Sequence, residues 1–145
     1  MNNLLKKRIT LSLISIFSLI TGLAIYLLLR KDTYLHGYFS AEFCNSVYIN
    51  VESNILTDFI RYYLPDFLWA FAFGAALTAV SYSHKRNVIV LNSAASFFVG
   101  VIFELLQVFC VINGTFDFAD ILMYAVAALT CAAINIKLFK GVNQK

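Results

Sequence analysis

Apolar residues run almost unbroken through four stretches of the chain, 9–29, 65–82, 88–112 and 118–139, each bounded by charged residues or short polar turns. Each stretch can cross about 30 Å of hydrocarbon as a helix of about 20 residues. The second is the shortest, and its pattern allows a start as early as Thr57. The first ends in Leu27, Leu28, Leu29, Arg30 and Lys31 without a small-residue cleavage signature, and so reads as a retained anchor rather than a secretory signal. The links from the second to the third span and from the third to the fourth are short, which makes those spans antiparallel neighbours. The pattern predicts an all-α polytopic membrane protein, a single four-helix bundle covering 1–145. Between the first and second spans, Tyr34, Leu35, Tyr38, Phe39 and Phe43 recur at helical spacing ahead of the polar Cys44, Asn45 and Ser46. That segment reads as an amphipathic helix at the membrane surface or as a lid over a pocket.

Composition agrees with this class. Of the 145 residues, 61% are hydrophobic and 13% are charged, against about 25% charged in an ordinary soluble domain. The net charge of +3 does not point to a nucleic acid, because the basic residues sit at span ends, where membrane topology places them. Lys6, Lys7 and Arg8 lie in the amino-terminal tail, Lys85 and Arg86 in the middle loop, and Lys137, Lys140 and Lys145 at the carboxyl end, while the loop between the third and fourth spans has none. The positive-inside bias therefore puts both termini in the cytoplasm. Arg30, Lys31 and Arg61 fall on the outer side, offset there by Asp32, Glu42, Glu52 and Asp58. Tyr26, Tyr34, Tyr38, Tyr48, Tyr62, Tyr63 and Trp69 also gather on that side, as an interfacial aromatic belt does. Some of them could instead line a groove and stack on a ring or sugar.

Candidate chemistry resides in carboxylates set into or beside these spans. A charge at bilayer depth costs several kcal/mol unless it faces protein or water. In the third span, Gly100, Glu104 and Gln107 share one helix face, and Gly100 lets a neighbouring backbone approach. Glu104 lies eight residues before the expected end at Ile112, about 12 Å deep. The fourth span opens with Asp117 and Asp120, and Asp120 shares a face with Tyr124. Asp117 suits an N-cap, with Asp120 as the acidic residue three positions on. Pro65 and Asp66 open the second span in the same style. Capping does not account for Glu104 or Gln107, and all five polar residues fall in the outer leaflet half. They form either a buried network locking the bundle or a pocket open to the outside.

Other motifs are silent. His36 and His84 lie in loops on opposite sides, which removes a two-histidine metal site. The three cysteines have no C-x-x-C spacing. Cys44 and Cys110 fall on the same side, where a disulfide is conceivable, although small apolar side chains are the simpler reading. Ser12, Ser15 and Ser18 recur every three residues, which suits helix packing.

Glu104-Leu105-Leu106-Gln107, followed by Gly114-Thr115-Phe116-Asp117-Phe118-Ala119-Asp120-Ile121-Leu122-Met123-Tyr124, resembles the VanZ-like family of small bacterial membrane proteins. Members carry a Glu-x-x-Gln near the end of one span, an acidic pair opening the next, and an upstream aspartate in an earlier span, as in Pro65-Asp66-Phe67-Leu68-Trp69. The chain departs at Ala70, where many members have histidine, and at Asn113 and Gly114, where many have an arginine before the acidic pair. The resemblance implies a multi-pass protein of the bacterial cytoplasmic membrane and a role like low-level resistance to the glycopeptide teicoplanin.

Three functions are therefore expected to compete. The first is a cell-envelope role in which Asp66, Trp69, Glu104, Gln107, Asp117, Asp120 and Tyr124 engage a lipid-linked or cell-wall component, or a glycopeptide. The second is an enzyme acting on a lipid head group, with Glu104 or Asp120 as catalytic carboxylate and with or without a divalent cation. The third is an assembly subunit in which the carboxylates are structural.

Overall fold

The computed structural model describes residues 3–30 and 47–140. The expected amphipathic segment after residue 30 and Cys44 lie outside the described residues. Within them the chain forms four helices long and apolar enough to cross a membrane, and no strand: α1 (Asn3–Leu29), α2 (Ile55–Val80), α3 (Arg86–Val108) and α4 (Phe118–Phe139). Large apolar side chains such as Phe17, Leu91, Phe98 and Leu129 project outward. Water would penalise such a surface, and a bilayer matches it.

α2 is the centre of the bundle. It buries a run of small residues, Ala70, Ala72, Gly74, Ala75, Thr78 and Ala79, which let three neighbours approach its backbone closely. α1 meets it through one stripe, Leu11, Ser15, Ser18 and Gly22, and the Ser15 hydroxyl donates to the Ala72 carbonyl at 2.7 Å. The serine stripe thus serves packing. α3 and α4 pack on α2 and on each other, with Ile89, Ser93, Ser96 and Glu104 facing Tyr124, Ala127, Cys131 and Asn135. α1 and α3 both lie against α2 but share no substantial contact, which leaves a cleft floored by α2.

Three boundaries differ by more than two residues from those read off hydrophobicity. α2 starts at Ile55, close to the early start near Thr57 that the pattern allowed and well before Pro65, because Asn54 and Thr57 form a reciprocal capping box. The helix then passes through a π-helical turn at Phe59–Tyr63 before Pro65. Proline has no N–H for the carbonyl four residues back, here Arg61. Arg30, just beyond α1, fills the gap: its Nε donates to the Arg61 carbonyl at 2.9 Å and its Nη2 to the Tyr62 carbonyl at 2.7 Å. α3 stops at Val108 rather than 112, as Cys110 adopts φ 53° and the amides of Val111 and Ile112 both turn back to the Leu106 carbonyl. Glu104 is therefore four residues, about 6 Å, from the helix end rather than 12 Å. α1 also begins earlier than expected, at Asn3, its charged first turns being helical too.

At the end bearing the amino terminus, His84 is 3% exposed and stacks on Phe139 with ring centroids 4.0 Å apart. Arg8 closes the same end, its Nε donating to the Ala79 carbonyl at 2.7 Å. Burial and the nearby Arg8 guanidinium hold the His84 pKa below its ordinary 6.5, with the Thr78 backbone opposing. A base whose pKa is lower folded than unfolded makes the unfolded chain bind more protons, so stability is complete above about pH 6.5 and falls as the pH drops below it. Unfolding in detergent should show that loss between pH 7 and 5, and His84→Phe should abolish the part due to this residue. A Cβ at Gly74 would lie 3.0 Å from Cys131 Sγ and 3.1 Å from Ser96 Oγ. Gly74→Val should accordingly cost about 1–3 kcal/mol in the same assay.

Candidate acidic site at the Gly114 end of the bundle

Glu104 is the anchor of this site. Its carboxylate is 1% exposed, and both oxygens are engaged. Oε2 accepts from the Asp117 backbone N–H at 3.2 Å, and Oε1 accepts from the Tyr124 hydroxyl at 3.3 Å and from Gln107 Nε2 at 3.4 Å. Asp117 is the N-cap of α4, its side chain accepting from the Ala119 N–H at 2.8 Å. The expected capping box is not reciprocal. Glu104 of α3, rather than Asp120, takes the cap's own N–H, so the start of α4 is fastened to the end of α3.

Two glycines make this arrangement possible. Gly114 has φ 154°, a conformation L side chains rarely adopt, and a Cβ there would lie 2.6 Å from Gln107 Oε1. A Cβ at Gly100 would lie 2.5 Å from the Tyr124 ring, so Gly100 admits the tyrosine side chain where a neighbouring backbone was expected. The Tyr124 hydroxyl then stands 3.4 Å from Asp66 Oδ1 of α2. With a single proton it donates to Asp66 or to Glu104, one at a time. Tyr124 thereby ties α2, α3 and α4 together.

Asp66 lies well inside α2, so it is not a helix-start residue as its proline neighbour suggests. It is held by the long contact to Tyr124 and by its own amide. Asp120 is half-buried, within electrostatic reach of Asp66, Glu104 and Asp117, with Arg30 as the opposing cation. Arg30 is stacked against Tyr26 and Tyr62, 4.9 and 5.3 Å from their ring centres. Among the described residues none of these four carboxylates is ion-paired. Nor does any trio of His, Cys, Asp or Glu among them have an arrangement suited to a metal ion. Cys110 carries a free, exposed thiol.

The cleft between α1 and α3 holds a cavity of about 630 Å³ that ends at this cluster. Of the seven expected binding residues, Asp66, Trp69, Gln107 and Tyr124 line it. Glu104 sits behind the wall, Asp117 is committed to its cap, and Asp120 stands outside the lining. A catalytic carboxylate at Glu104 would meet no substrate, since three donors already surround it. Asp66 is the carboxylate that faces the cavity. Tyr26 of α1 lines it as well, as the outer aromatic set allowed, whereas Leu19 of α1, Phe73 and Ala76 of α2, and Val99 and Phe103 of α3 carry no chemical signature in the sequence. The small Gly22 of α1 makes room for the Trp69 indole, which packs where a Cβ would lie.

Glu104→Ala should leave the Asp117 amide and the Tyr124 hydroxyl without their buried acceptor and destabilise the bundle by about 2–4 kcal/mol. Tyr124→Phe should cost about 1 kcal/mol, and a double-mutant cycle between the two should show coupling above about 0.5 kcal/mol in detergent unfolding.

No family model, curated protein or solved structure matches this chain.

Proposed function

We propose that the chain is a multi-pass protein of a bacterial cytoplasmic membrane, both termini cytoplasmic, whose acidic site faces the outer leaflet and binds the head of an envelope amphiphile. The observation that carries this reading is the meeting of Asp66, Gln107 and Tyr124 with one end of an otherwise apolar cavity. Apolar walls with a few convergent polar groups are how small-ligand sites are built, and about 630 Å³ falls within the usual range of 300–1,000 Å³. Orientation rests on the distribution of lysine and arginine. The Glu-x-x-Gln and paired aspartates shared with VanZ-like proteins support a role in which such binding lowers sensitivity to a glycopeptide such as teicoplanin.

A second reading, an enzyme acting on the lipid head group, is favoured by the Tyr124 hydroxyl standing between Asp66 and Glu104. That arrangement offers a proton path from a cavity-facing carboxylate to a buried one. In it Asp66, not Glu104, meets substrate.

In a strain where deleting the gene alters glycopeptide susceptibility, Asp66→Asn and Asp120→Asn should accumulate in the membrane at normal levels and behave like the deletion. Unchanged susceptibility would refute the site. Loss of the protein from the membrane would instead make the carboxylates structural.

A further inference from the structure

The cavity has the dimensions of a lipid chain in one leaflet. Along α1 it runs from Tyr26 to Ser15, and along α3 from Gln107 to Ser96, about 16 Å in each case at 1.5 Å per residue. That is half of the roughly 30 Å hydrocarbon core. Its polar end lies at the helix ends, and its apolar end, at Ala76 and Ser96, lies at mid-bundle. The serines there are already spent, Ser15 on the Ala72 carbonyl and Ser96 on the Ser93 carbonyl, so they leave an apolar floor. Leu19, Phe73 and Phe103 line the cleft and are also exposed on the sides of the bundle, so the cleft opens sideways to the surrounding medium. A water-borne ligand would have to enter past the polar end, whereas a lipid can slide in from the side.

The charges at the mouth select the head. Asp66 and Asp120 present acceptors without ion-pair partners among the described residues. The Arg30 guanidinium, parked on Tyr26 at the same mouth, keeps donors beyond the two given to Arg61 and Tyr62. A head with an ammonium beyond a phosphate complements both, the amine toward the aspartates and the phosphate toward Arg30. We infer that the cleft between α1 and α3 takes one acyl chain of an amine-headed phospholipid from the surrounding leaflet, its phosphate at Arg30 and its amine at Asp66 and Asp120. This rests on the proposal of an amphiphile-binding acidic site and names the class of amphiphile.

Trp69, the chain's single tryptophan, lines the cavity and reports on its occupant. The full chain is reconstituted in phosphatidylcholine vesicles, and acyl-brominated phosphatidylethanolamine or brominated phosphatidylcholine is added at low mole fraction. Phosphatidylethanolamine should quench Trp69 at a mole fraction about tenfold lower, and Asp66→Asn should erase that preference, as expected for one lost charge-assisted hydrogen bond. Ala76→Phe, filling the deep end, should remove the saturable quenching of both lipids, with Ala76→Leu intermediate and helicity unchanged in each. Equal, non-saturating quenching by both lipids, untouched by any variant, would overturn the inference. So would an Ala76→Phe effect that tracks dissociation of a dimer, since a second copy would then fill the cleft.

Water-soluble phosphoethanolamine separates the two claims. If it protects Phe103→Cys, a cavity-lining position in a variant with the native cysteines replaced, from maleimide while Ala76→Phe leaves lipid quenching intact, the head site stands and the chain groove fails. If Asp66→Asn and Asp120→Asn change neither quenching nor protection, the acidic site itself fails.

Discussion

A carboxylate buried among apolar helices must be satisfied by the protein around it, and Glu104 is where this chain meets that demand. Water is not at hand to solvate it, so its two oxygens gather an amide from the start of α4, a tyrosine hydroxyl from the middle of that helix's first half and a glutamine from its own. Each donor fixes another piece of structure. The amide sets where α4 begins, the glutamine folds over Gly114, and the tyrosine reaches across to Asp66 on α2. The corner where three helices meet is thus determined by one side chain's hydrogen bonds rather than by bulk apolar packing, which in lipid gives helices little reason to prefer one partner over another.

The same logic works along α2. Its small residues let α1, α3 and α4 approach on three sides, and Pro65 strips a donor from the helix just where Arg30 arrives to replace it. That replacement draws the end of α1 to α2 at the mouth of the site, while the rest of α1 keeps to α2 and leaves α3 alone. The cavity follows from this division of contacts. It is the space that remains when two helices share a central partner and make no substantial contact with each other. Its polar end is supplied by Asp66 and by two members of the Glu104 network, Gln107 and Tyr124, with Asp120 standing beside it.

The sequence announced much of this and concealed the remainder for identifiable reasons. Hydropathy marked four spans, since a window of apolar residues is a property of the chain itself. It left the start of α2 open between Thr57 and Pro65, because Thr57, Asp58, Arg61 and the paired tyrosines dilute the signal and a proline reads as a beginning, and the helix starts two residues before that range. The helical spacing of Gly100, Glu104 and Gln107 revealed an inward face, and that of Asp120 and Tyr124 brought the tyrosine into the set. What spacing could not reveal is which carboxylate is spent on structure. Glu104 looked like the most chemical residue and is the most fully occupied, whereas Asp66 looked like a cap and faces the cavity. The groove walls escaped notice because Leu19, Phe73, Val99 and Phe103 differ in no way from lipid-facing residues until the packing of α1 is known.

The central claim is that the Asp66 carboxylate faces a chamber reached from the non-cytoplasmic side, while Glu104 is sealed behind its wall. Cysteine labelling in intact cells tests it most directly, using a chain whose native cysteines are replaced and a membrane-impermeant maleimide. The account predicts that cysteine at position 66 reacts from outside without permeabilisation, while cysteine at position 104, behind the cavity wall, stays unreactive. Labelling of position 66 only after the cytoplasm is opened, or equal labelling of both positions, would contradict it.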